Sequence, residues 1–339
     1  MQIIKKIWVL VAIICLGCSA EATEGCVIRA AIDIGSGGPK LTVAEVDTVS
    51  NKIIKVVHTE QYVVNFYDSI QADNRLSEAI MSKGIDAIKS ALGTASIWAA
   101  ESSKGIATAA FRKAVNGEEY AQAIYEETGL TVHIIDSQLE GILAFEAAKD
   151  LVNIPSEHLV VWDVGGGSTQ WVAKHGEEYI LDYWNEGAGA FRNYIIETVQ
   201  GHSFQEVKTP NPLASDDILK GLEAAYVDSQ RMGPLFREKL KDTQTVVVGV
   251  GGAMSGLSQC IMKGQNAYTI DELAQRVEEI AGLTDEDFGG RYPSVEGSSA
   301  ILVLGYMQGL EISHLQTVDV NNAHGALVYE PFWQKLTQE

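Results

Sequence analysis

The chain has little positive charge. Its 339 residues include 25 Lys and Arg against 45 Asp and Glu, which gives a formal net charge of −20. Affinity for a phosphate backbone needs clustered Lys and Arg, so this balance excludes a general nucleic-acid binder. Only 7 prolines occur and 46% of the residues are hydrophobic, which excludes collagen-like and long disordered chains. A polyanionic ligand would have to be held by local groups that act against the overall field.

Cysteine and histidine are also scarce. No HExxH motif is present and the 7 histidines are scattered, so the sequence predicts no zinc site. Four cysteines occur, of which Cys26 and Cys260 lie beyond the N-terminal leader described below. We predict that these two are separate buried thiols, although an exported compartment would permit a bridge. The chain length indicates two domains, each able to bury its own core.

The N-terminus has the pattern of an export signal. Two lysines precede an apolar run at 7–16, which is too short to span a bilayer comfortably. An A-x-A site follows at 20–22, and a stretch that resembles a bacterial lipobox ends at Cys18. We therefore predict that residues 1–22 are a signal peptide or a lipoprotein leader. The mature protein would be periplasmic or anchored to the cell envelope, with membrane contact only through a lipid on Cys18.

The remaining chain has an internal duplication. A strand, a glycine turn and two further strands are followed by alternating helices and strands, and the same order begins again near residue 158. Asp33 and Asp163 stand at matching places in the two halves. The pattern predicts an α/β protein with lobes at 26–149 and 150–324, and a terminal helix at 325–339 that packs back on the first lobe. Single helices are predicted near 117–128 and 216–240.

Two glycine-rich turns follow acidic residues at the ends of buried strands, in DIGSGG (33–38) and DVGGGST (163–169). Glycines at such turns let backbone N–H groups approach an anion closely. A dinucleotide fingerprint would need G-x-G-x-x-G at the start of a helix, whereas here the acid comes first and a strand follows. The P-loop motif is absent. Two facing turns predict a phosphate clamp. A third turn at Gly251 and Gly252 leaves close strand–helix packing and a phosphate or nucleotide contact equally open.

These stretches, together with QLEGILAF, NEGAGAFR, VVVGVGG and GALVYE, resemble the exopolyphosphatase/guanosine pentaphosphate phosphohydrolase (Ppx/GppA) family. The family's order is kept over almost all of the chain after the leader. The resemblance implies two ribonuclease-H-like lobes of the actin/hexokinase/Hsp70 superfold, with the active site in the cleft between them. It also implies hydrolysis of a phosphoanhydride with the help of Mg²⁺.

The resemblance assigns roles to individual residues. Glu140 would be the general base, and Ser168 and Gln170 would position the attacking water, as in the related extracellular apyrases. Asp33 and Asp163 would hold Mg²⁺. The phosphate-binding set would be Gly35, Ser36, Gly37, Arg112, Gly165, Gly166, Gly167, Thr169, Gly251 and Gly252. Glu140 also has a purely structural interpretation, because Ser137 and Glu140 have the spacing of a helix capping box.

The sequence departs from the family pattern at several places. Leu139 and Gln170 each replace a family acid, Lys40 belongs to an unusual Gly-Pro-Lys stretch, and 324–326 replaces Arg-Glu-Gly. The first-ranked substrate is inorganic polyphosphate, with release of the terminal phosphate. The alternatives are a nucleoside tri- or pentaphosphate hydrolase, a weakly active polyphosphate or nucleotide sensor, and a kinase of the same superfold. A homodimer is left open.

Overall fold

The computed structural model describes residues 25–334, so the predicted leader at 1–22 and the end of the predicted terminal helix lie outside the described residues. The strands are β1 Cys26–Gly35, β2 Gly38–Asp47, β3 Lys52–Gln61, β4 Ser102–Ala107, β5 Val132–Ile134, β6 Leu159–Val164, β7 Thr169–His175, β8 Glu178–Trp184, β9 Val246–Val250, β10 Ala267–Thr269 and β11 His314–Thr317. The helices are α1 Phe66–Ser69, α2 Glu78–Ile97, α3 Ala109–Lys113, α4 Gly117–Thr128, α5 Ser137–Lys149, α6 Ala188–Tyr194, α7 Ser215–Ser229, α8 Pro234–Leu240, α9 Gly252–Gly256, α10 Ile270–Glu279, α11 Asp285–Phe288, α12 Pro293–Gly309 and α13 Asn322–Val328. Single π-helical turns extend α6 at Ile195–Val199 and α9 at Leu257–Ile261.

The two halves of the chain form two mixed sheets with the same strand order. The first sheet runs β3-β2-β1-β4-β5, and the second runs β8-β7-β6-β9-β11 with β10 added at its edge. In each sheet the first three strands of the half are antiparallel. The fourth strand pairs in parallel with the first, and the fifth pairs in parallel with the fourth. The duplication predicted from the sequence is therefore confirmed as a duplication of topology.

The central strands are buried because helices cover both faces of each sheet. Every residue of β6 is buried, and so is the second half of β1. This continuous burial explains why these strands are unbroken apolar runs and do not alternate with polar residues. The aspartates that end these runs are consequently carried into the interior of the molecule, next to the turns that follow them.

Helices α5 and α13 join the lobes. One face of α5 packs on β6 and β7 of the second sheet, while Leu143 on another face joins an apolar cluster with first-lobe residues such as Ala31 and Ile106. Helix α13 crosses α5 at Gly325, where a Cβ atom would lie 2.3 Å from the carbonyl oxygen of Leu143. The last helix thus begins at Asn322, before the predicted boundary at residue 325, and contacts β1, β2 and β3 of the first lobe.

Several local predictions can be compared with the structure. The helix predicted at 117–128 is confirmed and ends at Gly129, which has a φ of 73°. The single helix predicted at 216–240 is wrong, because α7 ends at Ser229 and a second helix begins at Gly233 and Pro234. Cys26 and Cys260 are separate free thiols as predicted, but both are only half-buried. None of the helices within 25–334 has the length and hydropathy needed to cross a membrane.

Candidate active site

A cleft of about 230 Å³ lies between the two lobes, and the three glycine turns line it. Residues 35–37 come from the first lobe, while residues 165–168 and 251–252 come from the second. The first two turns approach so closely that a Cβ atom on Gly167 would lie 2.4 Å from Ser36 Oγ. A larger residue at this position would displace the side chain of Ser36 and press on Ala109. The structure therefore brings together most of the predicted phosphate-binding residues on two facing loops.

Glu140 projects into this cleft from the first turn of α5 and is buried. Ser168 Oγ donates to Glu140 Oε1 at 3.4 Å, and Gln170 Nε2 donates to Ser168 Oγ at 3.1 Å. Burial raises the pKa of Glu140 to about 7, with Arg112 opposing the shift and Asp163 adding to it. A carboxylate with a pKa near neutrality is suited to act as a general base. The three predicted catalytic residues thus form one hydrogen-bonded chain.

The capping interpretation of Glu140 is wrong. Helix α5 is capped by Asp136, whose Oδ1 accepts from the backbone N–H of Leu139 at 2.7 Å. Ser137 lies inside the helix, so Glu140 is one position too far along to close a capping box. Its side chain is therefore not needed to satisfy the helix N-terminus.

Arg112 and Thr169 take positions that differ from the expected phosphate contacts. Arg112 Nη2 lies 2.7 Å from Glu140 Oε2, and Arg112 Nη1 donates to the carbonyl of Ile135 at 2.8 Å. The guanidinium is therefore behind Glu140 and not on the cleft wall. Thr169 Oγ1 donates to the carbonyl of Glu186 at 2.9 Å, which fixes the loop before α6 and turns the hydroxyl away from the cleft.

Asp33 and Asp163 both line the cleft, and the positively charged Lys40 lies beside them. Lys40 Nζ lies 3.6 Å from Asp33 Oδ2. Burial alone would lower the pKa of Lys40, but the carboxylates of Asp33 and Asp163 raise this pKa above its ordinary value. Burial raises the pKa of Asp163 to about 6; Lys40 opposes this shift and Asp33 adds to it. The site thus confines two carboxylates that repel each other.

The same two carboxylates fit a magnesium ion. Asp33 Oδ1 is buried and has no hydrogen-bond partner within 25–334, so one oxygen is available to a cation. Among the described residues, no group of three or more His, Cys, Asp or Glu side chains is close enough to form a complete metal site. Mg²⁺ usually keeps several waters and needs only one or two protein carboxylates together with substrate phosphates. The pair is therefore sufficient for Mg²⁺, but not for a metal held by protein ligands alone.

The sequence patterns gave no sign of the contacts that hold the two lobes together. Arg192 of α6 is buried and pairs with Asp68 of the first lobe at 2.8 Å. Lys113 Nζ donates to the carbonyl of Gly167 at 2.8 Å, so it fixes the second clamp loop from the first lobe. Tyr292 OH packs over Gly37 and accepts from Gln61 Nε2 at 3.1 Å. These partners are 54 or more positions apart in sequence, so only the fold brings them together.

Comparison with known proteins bears on the identity of this chain. Residues 42–183 match the family model described as the Ppx/GppA phosphatase family. The segment runs from within β2 to nearly the end of β8 and includes the helix that carries Glu140 and the second clamp loop. The resemblance to the Ppx/GppA phosphatase family is therefore confirmed.

Solved Ppx/GppA structures share the fold over most of the chain. A family member from Aquifex aeolicus superposes with a TM-score of 0.69 at 21% identity, covering 90% of this chain and 98% of that one. An exopolyphosphatase from Cytophaga hutchinsonii superposes with a TM-score of 0.68 at 14% identity, covering 90% and 97%. These likenesses confirm the predicted α/β fold of two actin-like lobes.

Curated relatives match over a smaller region. An uncharacterized protein of Streptomyces coelicolor is 27% identical over 139 residues, which cover 41% of this chain and 40% of that protein. A bifunctional 3-dehydroquinate synthase/phosphatase of Fusobacterium nucleatum is 24% identical over 149 residues, covering 42% and 22%. The match thus spans less than half the length of either relative.

Two departures from the Ppx/GppA pattern lie outside the cleft. Leu139 packs in the apolar cluster between α5 and α13. His324 and the two residues after it are buried in α13, and burial lowers the pKa of His324 to about 4, so this side chain is neutral at physiological pH. Both changes therefore act on the packing of the lobes. Lys40 and Gln170 are different, because Lys40 lines the cleft and Gln170 contacts Ser168.

Proposed function

We propose that this protein hydrolyses phosphoanhydrides and releases the terminal phosphate of its substrate. The observation that carries the proposal is the buried chain from Gln170 through Ser168 to Glu140, which opens onto two facing anion-binding loops. Glu140 would accept a proton from water, and Ser168 would orient that water toward the terminal phosphorus. The backbone N–H groups of 35–37 and 166–167 would bind the phosphate oxygens and the charge that develops on them, whereas the N–H of Gly165 donates to the carbonyl of Ser168 within the loop.

The expected metal would be held by Asp33 and Asp163. When bound there, Mg²⁺ would neutralise charge on the phosphate oxygens and lower the pKa of a nearby water. The remaining steps depend on the chain itself. Arg112 would orient Glu140 and stabilise its ionised form, and Lys40 would offer an ammonium group to the phosphates inside a strongly acidic protein.

Inorganic polyphosphate is the simplest substrate of this kind and comes first in the proposal. A nucleoside tri- or pentaphosphate is the second candidate, because the Ser168–Gln170 contact is the pair that positions water in the apyrase pattern. A sensor that binds such a ligand without turnover is the third. The protein of Cytophaga hutchinsonii that shares the fold is an exopolyphosphatase, which supports the first candidate.

The direct test is phosphate release from tripolyphosphate, long-chain polyphosphate, ATP and GTP, each with Mg²⁺ and with a chelator. A hydrolase releases phosphate from at least one of them in a Mg²⁺-dependent way, and Glu140→Gln abolishes that release. If wild-type protein binds these ligands in calorimetry but releases no phosphate, the sensor interpretation replaces the enzymatic one.

Export is a separate part of the proposal and depends on the N-terminal pattern. Mass spectrometry of protein isolated from the cell envelope should find Thr23 as the first residue or a lipid on Cys18. An intact Met1 in protein recovered from the cytoplasm would contradict it.

A further inference from the structure

The cleft continues past the phosphate clamp to a second polar region on α12. Glu296 and Ser299 both line the cleft and are 5% and 1% exposed. They are three positions apart on the helix, so their side chains lie on the same face. Neither one belongs to the set that the Ppx/GppA resemblance assigns to catalysis or phosphate binding.

Both side chains lack partners. Glu296 makes no hydrogen bond or ion pair with any residue in the described part of the chain, and Ser299 Oγ is buried without one. Arg291, a cation that lines the same cleft, donates to Gln61 Oε1 instead. Burial raises the pKa of Glu296 to about 8. A buried carboxyl group without a partner destabilises a fold, so an explanation is needed for its presence in a ligand cleft.

The backbone opposite Glu296 leaves room for its carboxyl group. A Cβ atom on Gly256 would lie 2.2 Å from Glu296 Oε2, so only glycine allows the carboxyl group to lie against α9. The other end of α9 begins at the third glycine turn, where a Cβ atom on Gly251 would lie 2.2 Å from Asp163 Oδ1. Four residues of helical rise, about 6 Å, separate Gly252 from Gly256. The carboxyl group is therefore about one helical turn from the expected metal and phosphate positions.

The chemistry of this pair selects its ligand. The carboxyl group of Glu296 offers no positive charge to a further phosphate of an inorganic chain, whereas it can exchange hydrogen bonds with hydroxyl groups in either protonation state. Acidic side chains that bind the ribose of dinucleotides use the same contact. A serine hydroxyl beside it can donate to or accept from a second hydroxyl.

We propose that Glu296 and Ser299 form a subsite for a vicinal diol, such as the ribose of a nucleoside polyphosphate whose phosphates lie in the clamp. The subsite selects phosphoanhydrides with a hydroxyl-bearing organic end over bare polyphosphate. This inference rests on the proposed function, because it takes the glycine turns to hold phosphates. In this arrangement the third glycine turn sets the distance between the phosphate clamp and the diol subsite.

Binding without turnover tests the subsite. Calorimetry gives dissociation constants for β,γ-imido-ATP and for its 2′,3′-dideoxy form, in wild type and in the variants Glu296→Gln, Glu296→Leu and Ser299→Ala. In wild type the dideoxy form should bind about tenfold or more weakly, because two buried hydrogen bonds are lost. In Glu296→Leu the ratio of the two constants should approach one. Glu296→Gln and Ser299→Ala should each reduce the ratio, because each keeps part of the hydrogen bonding to the diol. Glu286→Gln, on an exposed carboxylate of α11, should keep the wild-type ratio.

Other outcomes separate this inference from the proposed function. A wild-type ratio near one, or a high ratio that persists in all three variants, overturns the diol subsite and leaves hydrolysis possible. Failure of wild type to bind either analogue overturns it as well. A wild-type protein that discriminates the two analogues but releases no phosphate keeps the subsite and refutes the hydrolase. Because Glu296→Gln and Ser299→Ala are nearly isosteric, they serve if Glu296→Leu does not fold.

Discussion

Lys40 and Gln170 occupy equivalent positions in the two sheets. Each lies directly opposite an aspartate across an antiparallel strand pair, Lys40 opposite Asp33 and Gln170 opposite Asp163. The duplicated scaffold therefore presents a cation in one half and a neutral amide in the other. The amide half positions Ser168, whereas the cationic half lies against the two carboxylates.

Replacing Lys40 by the residue of the other half tests this asymmetry. Lys40→Gln should raise KM for the substrate, because a buried ammonium group that faces phosphate is lost. It should also lower the Mg²⁺ concentration needed for half-maximal activity, because no ammonium group then competes for Asp33. Phosphate release measured over a Mg²⁺ titration gives both values. If both stay at wild-type levels, Lys40 has no part in the site.

Removing one of the two carboxylates that repel each other should raise the stability of the protein and lower its activity. Burial raises the pKa of Asp163 from 3.8 to about 6, so its ionised form costs the fold about 2–3 kcal/mol at pH 7. This cost develops as the pH rises from about 3.8 to about 6. Asp163→Asn should therefore raise Tm in chelator at pH 7, and by less at pH 4. Calorimetry with added Mg²⁺ should find that the stabilisation by the ion is lost. A lower Tm at pH 7 in chelator would contradict the expected repulsion.

The activity should depend on the ionisation of Glu140. The base works when deprotonated, so kcat/KM should rise as the pH rises through about 7. Saturating Mg²⁺ should move this limb to lower pH, because a nearby cation favours the carboxylate. Arg112→Gln should move the limb upward, since the guanidinium opposes the raised pKa. Arg112→Lys, which keeps the charge, should move it less. If the pH at which kcat/KM rises responds neither to Mg²⁺ nor to the Arg112 substitutions, the ionisation belongs to another group.

The crossing of α5 and α13 should be sensitive to one methyl group. Gly325→Ala would place a Cβ atom 2.3 Å from the carbonyl oxygen of Leu143. Overpacking of this kind costs about 1–3 kcal/mol, and the shift of α5 should also lower kcat because that helix carries Glu140. Gly93→Ala is the matched control, because nothing lies within 4 Å of its Cβ position on α2. It should stabilise the protein by about 0.5–1 kcal/mol. Urea unfolding gives the free energy of unfolding of both variants. Equal changes in the two variants would contradict the close contact of α5 and α13 at Gly325.

Sequence patterns within one short segment were sufficient to predict the two clamp loops. An aspartate, a glycine turn and a returning strand lie within a few residues of each other, so the two clamp loops could be predicted from spacing. The family resemblance added Glu140, which spacing alone would have assigned to a capping box. Asp136 caps α5 instead, since a one-residue change in where a helix begins decides which side chain is free.

The remaining site residues depend on contacts between the lobes. Arg192 pairs with Asp68, and the two residues are 124 positions apart. Glu296 lies in a segment whose pattern indicates only a buried helix, and its burial against Gly256 follows from the packing of α12 on α9. Arg112 matched the family's position, yet its direction was set by the carbonyl of Ile135 and by Glu140. No periodicity or spacing within one segment could have indicated these contacts.

The central claim is that Glu140 is the base of a hydrolase, and Glu140→Gln tests it most directly. The substitution keeps the size of the side chain but removes its ability to accept a proton. Because Asp136 caps α5, the helix cap is kept, and the new amide oxygen can still accept from Arg112, so Tm should change little. Single-turnover and steady-state phosphate release should show kcat lowered by roughly 10²–10⁴-fold, with substrate binding retained. Turnover of tripolyphosphate and nucleotides within a fewfold of wild type would contradict the account.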